Sequence, residues 1–65
     1  MEIGSKLRAA RQRTGFTQEQ VGEAIHVSRQ TISNWETGKS LPDVLSVISL
    51  SDLYQVSLDE LLKGD

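Results

Sequence analysis

Six polar side chains that could share one side of a helix fall within ten residues near the middle of this 65-residue chain. They are Ser28, Arg29, Gln30, Ser33, Asn34 and Thr37. A helix over this segment that turned Ile32 and Trp35 inward would present the six outward or sideways. Arginine can bond the O6/N7 edge of guanine in two places, and glutamine or asparagine can bond adenine in the same way. The segment therefore has the chemistry to read base edges in a major groove, and a merely solvated helix face is the alternative interpretation.

The chain offers little for catalysis or metal binding. It has no cysteine and one histidine, His26, which we interpret as a turn residue. The sequence contains no recognisable nucleophile–base pair, cluster of metal ligands or glycine-rich phosphate loop. We accordingly expect no enzyme activity, no cofactor and no metal site.

The charge of the chain is unevenly distributed. The net charge is −2, which by itself argues against a polyanionic partner. Residues 1–39 contain six basic and four acidic side chains, whereas residues 40–65 contain one basic and five acidic side chains. This division predicts one face for a polyanion and another turned away from it. Ordinary scatter of surface charge is the alternative.

Length and hydropathy define the broad class of protein. Sixty-five residues predict one domain, spanning 1–65, with a marginal core. No run of apolar residues exceeds two, whereas a membrane span needs about 20, and the N-terminus lacks the profile of a signal peptide. We expect a cytoplasmic domain without membrane contact.

Capping signals predict five short helices. Helix 1 is predicted from Ile3 to about Arg13, helix 2 after Thr17, helix 3 from Ser28 to near Thr37, helix 4 after Asp43 to about Tyr54, and helix 5 after Ser57. A serine, threonine or aspartate, each a favoured N-cap residue, stands at the start of helices 2 to 5. Gly15 and Gly38 are placed to end helices 1 and 3.

Helices 2 and 3 are separated by a very short turn. Because the turn is only Ile25-His26-Val27 long, the two helices must cross steeply. Gly22 lies where they approach most closely, and a side chain larger than alanine there would push them apart. The pattern therefore predicts a helix, a tight turn and a second helix over residues 18–37.

Ten residues between positions 18 and 38 have the spacing of a known family. They are Gln18, Val21, Gly22, Ile25, Val27, Ser28, Ile32, Trp35, Glu36 and Gly38. With this spacing the chain resembles the phage repressor/Cro-like (XRE-type) helix-turn-helix family, and the resemblance extends over residues 3–62. It implies an all-α, compact five-helix, lambda-repressor-like domain that binds double-stranded DNA sequence-specifically and regulates transcription, with repression favoured, in a bacterial or phage setting. His26 departs from the family pattern, which often has glycine at the turn, but histidine tolerates positive φ.

The resemblance also implies a set of site residues. Those that would meet the phosphate backbone are Gln18, Thr31, Thr37 and Lys39. Ser28 joins them on a separate argument, because the start of helix 3 offers free backbone N–H groups that can bind a phosphate. Those that would read base edges are Arg29, Gln30, Ser33 and Asn34. Arg11 and Glu36 would form an internal ion pair that joins helix 1 to helix 3, rather than contact DNA.

A second function remains open at this point. A domain could keep this fold and bind a protein partner instead of DNA, and the acidic overall charge favours that interpretation. Arg29, Gln30 and Asn34 argue against it, because loss of DNA binding would let acidic or bulky residues enter that face.

Helix 4 carries more apolar side chains than one face can hold. The stripe predicted to cover the core consists of Val44, Val47, Leu50, Ser51 and Tyr54. Leu45, Ile48 and Leu53 do not all fit on that stripe, which predicts burial on a second side. We interpret the second side as the interface of a symmetric homodimer that reads a palindromic operator with half-sites about 10 base pairs apart. A few exposed leucines on a monomer are the alternative.

Overall fold

The computed structural model describes residues 3–63, and every regular element in this range is a helix. The helices are α1 (Ile3–Thr14), α2 (Gln18–Ile25), α3 (Arg29–Thr37), α4 (Val44–Tyr54) and α5 (Leu58–Leu62). The predicted all-α fold with five helices is confirmed. None of these helices is long and apolar enough to cross a lipid bilayer. The predicted domain limits, 1 and 65, lie outside the described residues.

Side-chain caps fix the starts of three helices. The Thr17 hydroxyl accepts the Gln20 N–H at 3.0 Å, while the Gln20 side-chain oxygen accepts the Thr17 N–H at 2.9 Å, which completes a capping box. Ser28 and Ser57 each accept from the N–H three residues further on, at 3.0 Å. Because these N–H groups have no acceptor within their own helix, the hydroxyls set where α2, α3 and α5 begin.

Asp43 occupies the N-cap position of α4, as predicted, but its carboxylate makes no capping bond to the backbone. It accepts a hydrogen bond from the Ser46 hydroxyl instead. This bond stabilises the ionised form and holds the pKa of Asp43 below its usual range. The prediction that Asp43 is the N-cap residue of α4 is therefore confirmed, although its carboxylate bonds to a side chain and not to the backbone.

Residues in the left-handed region end four of the helices. Gly15 and Gly38 have φ values of 83° and 82°, as expected of glycine stops. His26 closes α2 at a φ of 65° and donates its N–H to the Gly22 carbonyl, so it supplies the conformation that glycine often provides. Gln55 closes α4 at a φ of 57°, although its residue type gives no sign of it.

Each helix contributes one fully buried apolar side chain to the core. These residues are Leu7, Val21, Ile32, Leu50 and Leu61. Trp35 joins them with only 7% of its surface exposed, so it is a core residue rather than a platform for stacking bases. Since α3 packs against both α1 and α2, the core holds this helix from two directions.

α1 and α3 approach each other closely at Gly4. A Cβ atom on Gly4 would lie 2.6 Å from the carbonyl oxygen of Trp35 and 2.8 Å from that of Glu36. Both distances are too short for carbon next to oxygen, so only glycine fits. Sequence patterns did not reveal this contact, because glycine inside a predicted helix is merely unfavourable.

The predicted core stripe of α4 is wrong at Val44, which is 74% exposed. The residues of α4 that are buried are Val47, Leu50 and Tyr54. Leu53, predicted to face a partner, is half-buried against the core instead. The reason is that α4 contacts α2 as well as α1 and α5, so its buried arc extends toward the end of α2, where Leu53 lies near Ile25.

Six large apolar side chains remain exposed beside this buried arc. They are Leu41, Val44, Leu45, Ile48, Leu58 and Leu62, which we name the α4–α5 apolar surface. Five of them line one open groove together with Pro42. Leu45 lies one turn of α4 before Ile48 and extends the same side. The surface is continuous and reaches from the loop after α3 to the end of α5.

Candidate nucleic-acid interface

A tightly packed turn fixes the angle between α2 and α3. Val27 donates its N–H to the Gly22 carbonyl at 2.9 Å, and a Cβ atom on Gly22 would lie 2.6 Å from the Val27 carbonyl oxygen. The close approach predicted at Gly22 is confirmed. His26, left-handed, redirects the chain, and α3 begins three residues later with its first residues at the surface. The two helices form the helix-turn-helix unit predicted over residues 18–37.

α3 has one buried side and one polar side. Ile32, Trp35 and Glu36 are buried. The predicted contact residues that are exposed are Ser28, Arg29, Gln30, Thr37 and Lys39, and those that are half-buried are Thr31, Ser33, Asn34 and, on α2, Gln18. The only carboxylate in residues 28–39 belongs to Glu36, which is buried. The exposed side of α3 therefore offers one guanidinium, two amides and several hydroxyls without an acidic group.

Several of these polar side chains bond to one another. The Gln30 side-chain nitrogen donates to the Asn34 side-chain oxygen at 3.0 Å, so the two amides are paired across one turn. The hydroxyls of Ser28 and Thr31 lie 2.9 Å apart. Thr37 donates its hydroxyl to the carbonyl four residues earlier at 2.9 Å. The two amides therefore bond to each other, and the hydroxyls of Ser28, Thr31 and Thr37 form hydrogen bonds at the two ends of α3.

Main-chain bonds tie the loop after α3 to the last turn of that helix. Gly38, Lys39 and Ser40 all donate their N–H groups to the Asn34 carbonyl, at 2.9 Å for Lys39 and 3.4 Å for Ser40. The Lys39 side chain is exposed. The backbone of Lys39 is therefore held in a fixed position relative to α3.

The expected ion pair between α1 and α3 is present. Arg11 Nε donates to Glu36 Oε2 at 2.7 Å, and Arg11 Nη2 donates to Glu36 Oε1 at 3.1 Å. Arg11 also donates from Nη1 to the Phe16 carbonyl at 3.0 Å. The guanidinium of this α1 residue therefore bonds both to α3 and to the loop that precedes α2. The bonded carboxylate raises the pKa of Arg11. Burial, and then the charge of Glu36, raise the pKa of Tyr54.

Gln18 connects this ion pair to the exposed side of α3. Its side-chain nitrogen, Nε2, donates to Glu36 Oε1 at 3.1 Å. Its side-chain oxygen, Oε1, accepts from Arg29 Nη1 at 3.3 Å. The sequence analysis treated Gln18 as a phosphate contact, Arg29 as a base contact and Glu36 as the partner of Arg11. It missed the connection because side-chain bonds between residues 18, 29 and 36 depend on how the helices cross.

The described residues contain no group of three or more histidine, cysteine or acidic side chains that could hold a metal ion. His26 is exposed in the turn between α2 and α3. The exposed side of α3 therefore offers guanidinium and amide groups to a ligand.

Comparison with known proteins places this geometry in a family. A helix-turn-helix family model matches residues 7–61, which is most of the chain. The chain therefore belongs to the helix-turn-helix family, and the resemblance to repressor/Cro-like (XRE-type) proteins is confirmed. The solved structure of the P22 c2 repressor in complex with a synthetic operator has a TM-score of 0.91, 35% identity, and covers 100% of this chain and 98% of that one.

Curated relatives include transcriptional regulators of bacteria and phages. The chain is 43% identical over 65 residues to the HTH-type transcriptional activator BcrR of Enterococcus faecalis and 38% identical over 65 residues to the HTH-type transcriptional regulator ImmR of Bacillus subtilis. It is 36% identical over 63 residues to repressor protein C2 of Salmonella phage P22. All or nearly all of the chain is matched, but it spans only 32%, 51% and 29% of the lengths of these three relatives.

Proposed function

We propose that this chain is a sequence-specific DNA-binding regulator of transcription whose α3 enters the major groove of duplex DNA. The observation that carries the proposal is the exposed side of α3, which presents an arginine, two amides and hydroxyls without a carboxylate. An α-helix fits the major groove, and these groups match the donors and acceptors of base edges. The likeness to a repressor solved in complex with a synthetic operator supports the binding of duplex DNA.

The proposed contacts divide into two classes. Base edges are read by Arg29, Gln30, Ser33 and Asn34. Phosphates are met by Gln18, Ser28, Thr31, Thr37 and Lys39. Support for the first class comes from their position on α3, and support for the second from the helix N-termini and the tied loop that surround it.

The form of regulation that we propose is repression in a bacterial or phage cytoplasm. The phage P22 relative is named a repressor, which supports this form, whereas the Enterococcus relative is named an activator. The chain in this proposal binds and does not catalyse.

A symmetric homodimer completes the proposal. The α4–α5 apolar surface would form its interface, with Leu45 and Ile48 retained from the sequence prediction and Leu53 removed because it packs in the core. Exposed leucine and valine side chains that form one continuous surface are typical of interaction sites. Two copies related by a two-fold axis would read a palindrome with half-sites about 10 base pairs apart.

Selection of bound sequences from a random pool of duplex DNA tests the function directly. We expect one enriched palindromic sequence, with binding that weakens as salt is raised because phosphate contacts release counterions. Enrichment of no sequence, together with binding that is indifferent to salt, would replace this proposal with the protein-binding alternative.

A further inference from the structure

A shallow groove lies between α1 and α5 and has a volume of about 280 Å³. We name it the α1–α5 groove, and the residues that line it include Lys6, Ala9, Arg13, Val56, Glu60 and Leu61. None of these residues belongs to the proposed DNA contacts or to the α4–α5 apolar surface. The groove is therefore a surface that the proposed function leaves unused.

The two cations of this groove face away from α3. α1 contacts α3 through Gly4 and Arg11. Lys6 follows Gly4 by two residues, and Arg13 follows Arg11 by two residues, which is a rotation of about 200° around the helix. Lys6 and Arg13 therefore lie on the opposite side of α1 and remain accessible while α3 lies against DNA.

The charged side chains of the groove have no partner within the described part of the chain. Among residues 3–63 the ion pair is that of Arg11 with Glu36, and the side chains of Lys6, Arg13 and Glu60 make no hydrogen bond. Two cations thus stand against one carboxylate. Lys6 and Arg13 are two turns apart, or about 10 Å along α1, so they mark out one line of positive charge.

The bottom of the groove is apolar. Ala10 and Leu61 are each 2% exposed and form its floor. Val56 is half-buried beside them, and Ala9 is exposed at the rim between the two cations. Because alanine is small, a partner can approach the backbone of α1 closely at this point. The groove therefore combines a net positive rim with room for an apolar side chain.

This combination selects among possible occupants. An anionic partner complements the charge of the rim. A phosphate backbone carries no side chain for the apolar floor, and the same groove of a second copy would bring four cations together against two carboxylates. An acidic peptide segment supplies both the carboxylates and an apolar side chain.

We propose that the α1–α5 groove binds an acidic amphipathic helix of a partner protein. Two carboxylates of that helix, two turns apart, meet Lys6 and Arg13, and an apolar side chain between them lies on the floor beside Ala9. The domain can then hold duplex DNA and a partner protein at the same time. The proposal goes beyond the proposed function and does not depend on it, because the groove contains none of the proposed DNA contacts.

The test is a titration of the nitrogen-15-labelled chain with a synthetic peptide at low salt. The peptide is an alanine-based helix with glutamates two turns apart and a leucine between them, and the control peptide has glutamines in place of the glutamates. We expect the amide signals of Ala9, Ala10, Val56 and Leu61 to shift with the glutamate peptide and not with the control. No shifts, shifts confined to α3, or equal shifts with both peptides would overturn the proposal.

Charge variants locate the binding more sharply. Lys6→Gln and Arg13→Gln should each weaken peptide binding about two- to fivefold, as expected of one exposed ion pair. Glu60→Gln should strengthen binding, because it removes the negative charge that faces the peptide. Thermal unfolding of each variant checks that the fold is retained.

Arg8→Gln is the matched control, because it removes the same charge from the same helix outside the groove. Arg8 is exposed and follows Lys6 by two residues, so it lies on the other side of α1. This variant should bind the peptide as the wild type does. If it weakens binding as much as Lys6→Gln, the attraction is a general effect of net charge and the proposal is wrong.

Measurements without peptide decide between the other occupants. If duplex DNA alone shifts the groove amides, and Lys6→Gln removes those shifts, the groove is a DNA contact. Shifts that grow with protein concentration would assign it to a second copy instead. Either result would overturn the proposal. If the chain selects no DNA sequence, the proposed function fails, whereas the peptide titration still decides what the groove binds.

Discussion

Leu45 and Leu53 lie about two turns apart on α4, but only Leu53 packs against the core. Leu45 is 73% exposed on the α4–α5 apolar surface, whereas Leu53 is half-buried against the core beside the end of α2. Two leucines on one helix therefore lie in different environments. A single substitution can distinguish an interface from a core position.

Leu45→Glu and Leu53→Glu should have different consequences. We expect Leu45→Glu to remain folded and to sediment as a monomer that binds the palindrome weakly, because a carboxylate would be buried in the proposed interface. Leu53→Glu should lower the thermal stability of the fold, since its carboxylate would replace packed apolar contact. Sedimentation of both variants, free and on DNA, measures this. A wild type that stays at one chain per duplex at every concentration would end the dimer proposal.

Gly22→Val should disrupt the turn between α2 and α3. Even the first carbon of a side chain would meet the Val27 carbonyl at 2.6 Å, and the added methyl groups increase the overlap. We expect a loss of at least about 1–3 kcal/mol in the free energy of unfolding, measured by chemical denaturation. Ala24→Val is the control on the same helix, where an exposed position should cost only a few tenths of a kcal/mol through helix propensity. Equal stability of the two variants would contradict the close approach.

Glu36→Ala should be more damaging than removal of the whole ion pair. Loss of the carboxylate leaves the Arg11 guanidinium, which is 13% exposed, without its partner and removes the acceptor for Gln18. Breaking a buried pair in this way costs about 3–5 kcal/mol. The double change Arg11→Met with Glu36→Met should recover much of that loss, because no unpaired charge remains. Calorimetry that finds the double variant less stable than Glu36→Ala would show that the pair contributes net stability.

The single tyrosine reports the stability of the fold at alkaline pH. Burial raises the pKa of Tyr54 above its ordinary value of about 10, so the folded state favours the protonated phenol. The resulting stabilisation is fully present below about pH 10 and is lost as the pH rises toward the raised pKa of the folded state. We expect tyrosinate absorbance to appear together with the loss of helical circular dichroism. Titration at the ordinary pKa in a chain that stays helical would contradict the burial of the phenol.

Arg29→Ala and Lys39→Ala should separate base reading from phosphate binding. Arg29→Ala should cost about 1–3 kcal/mol on the selected sequence and relax the preference at one base pair. Lys39→Ala should weaken all sequences alike and reduce the slope of log K against log salt by about one. Binding constants on matched and single-substituted duplexes at several salt concentrations provide both quantities. A uniform loss in Arg29→Ala would identify Arg29 as a phosphate contact.

Local chemistry explains why the helices could be predicted from the sequence. The caps at Thr17, Ser28 and Ser57 act on an N–H three residues away, so they operate before any tertiary contact exists. Gly22 could be predicted because the length of the turn alone demands a close approach. The buried and polar sides of α3 could also be predicted, because they follow from the spacing of its apolar residues along the sequence.

The features that could not be predicted depend on contacts between elements. The contact of α4 with α2 determines which residues of α4 are buried. Leu53 is half-buried as a result, whereas Val44 is exposed. The need for glycine at Gly4 arises from carbonyl groups some thirty residues further along the chain. The bonds of Gln18 depend on how α2 crosses α3, and the family resemblance supplied its place in the site without supplying these partners.

The Asn34 carbonyl, which accepts N–H groups from the loop that follows α3, belongs to the backbone rather than to a reading side chain. The Ser28 hydroxyl starts α3 and Gly38 ends it, so the frame of the helix does not depend on residues 29, 30, 33 or the Asn34 amide. If those positions read bases as proposed, substitutions there would alter which DNA sequence is preferred, while the backbone of Lys39 would keep its place beside α3. In the proposed function, the target sequence could then change while the contacts to the phosphate backbone stay the same.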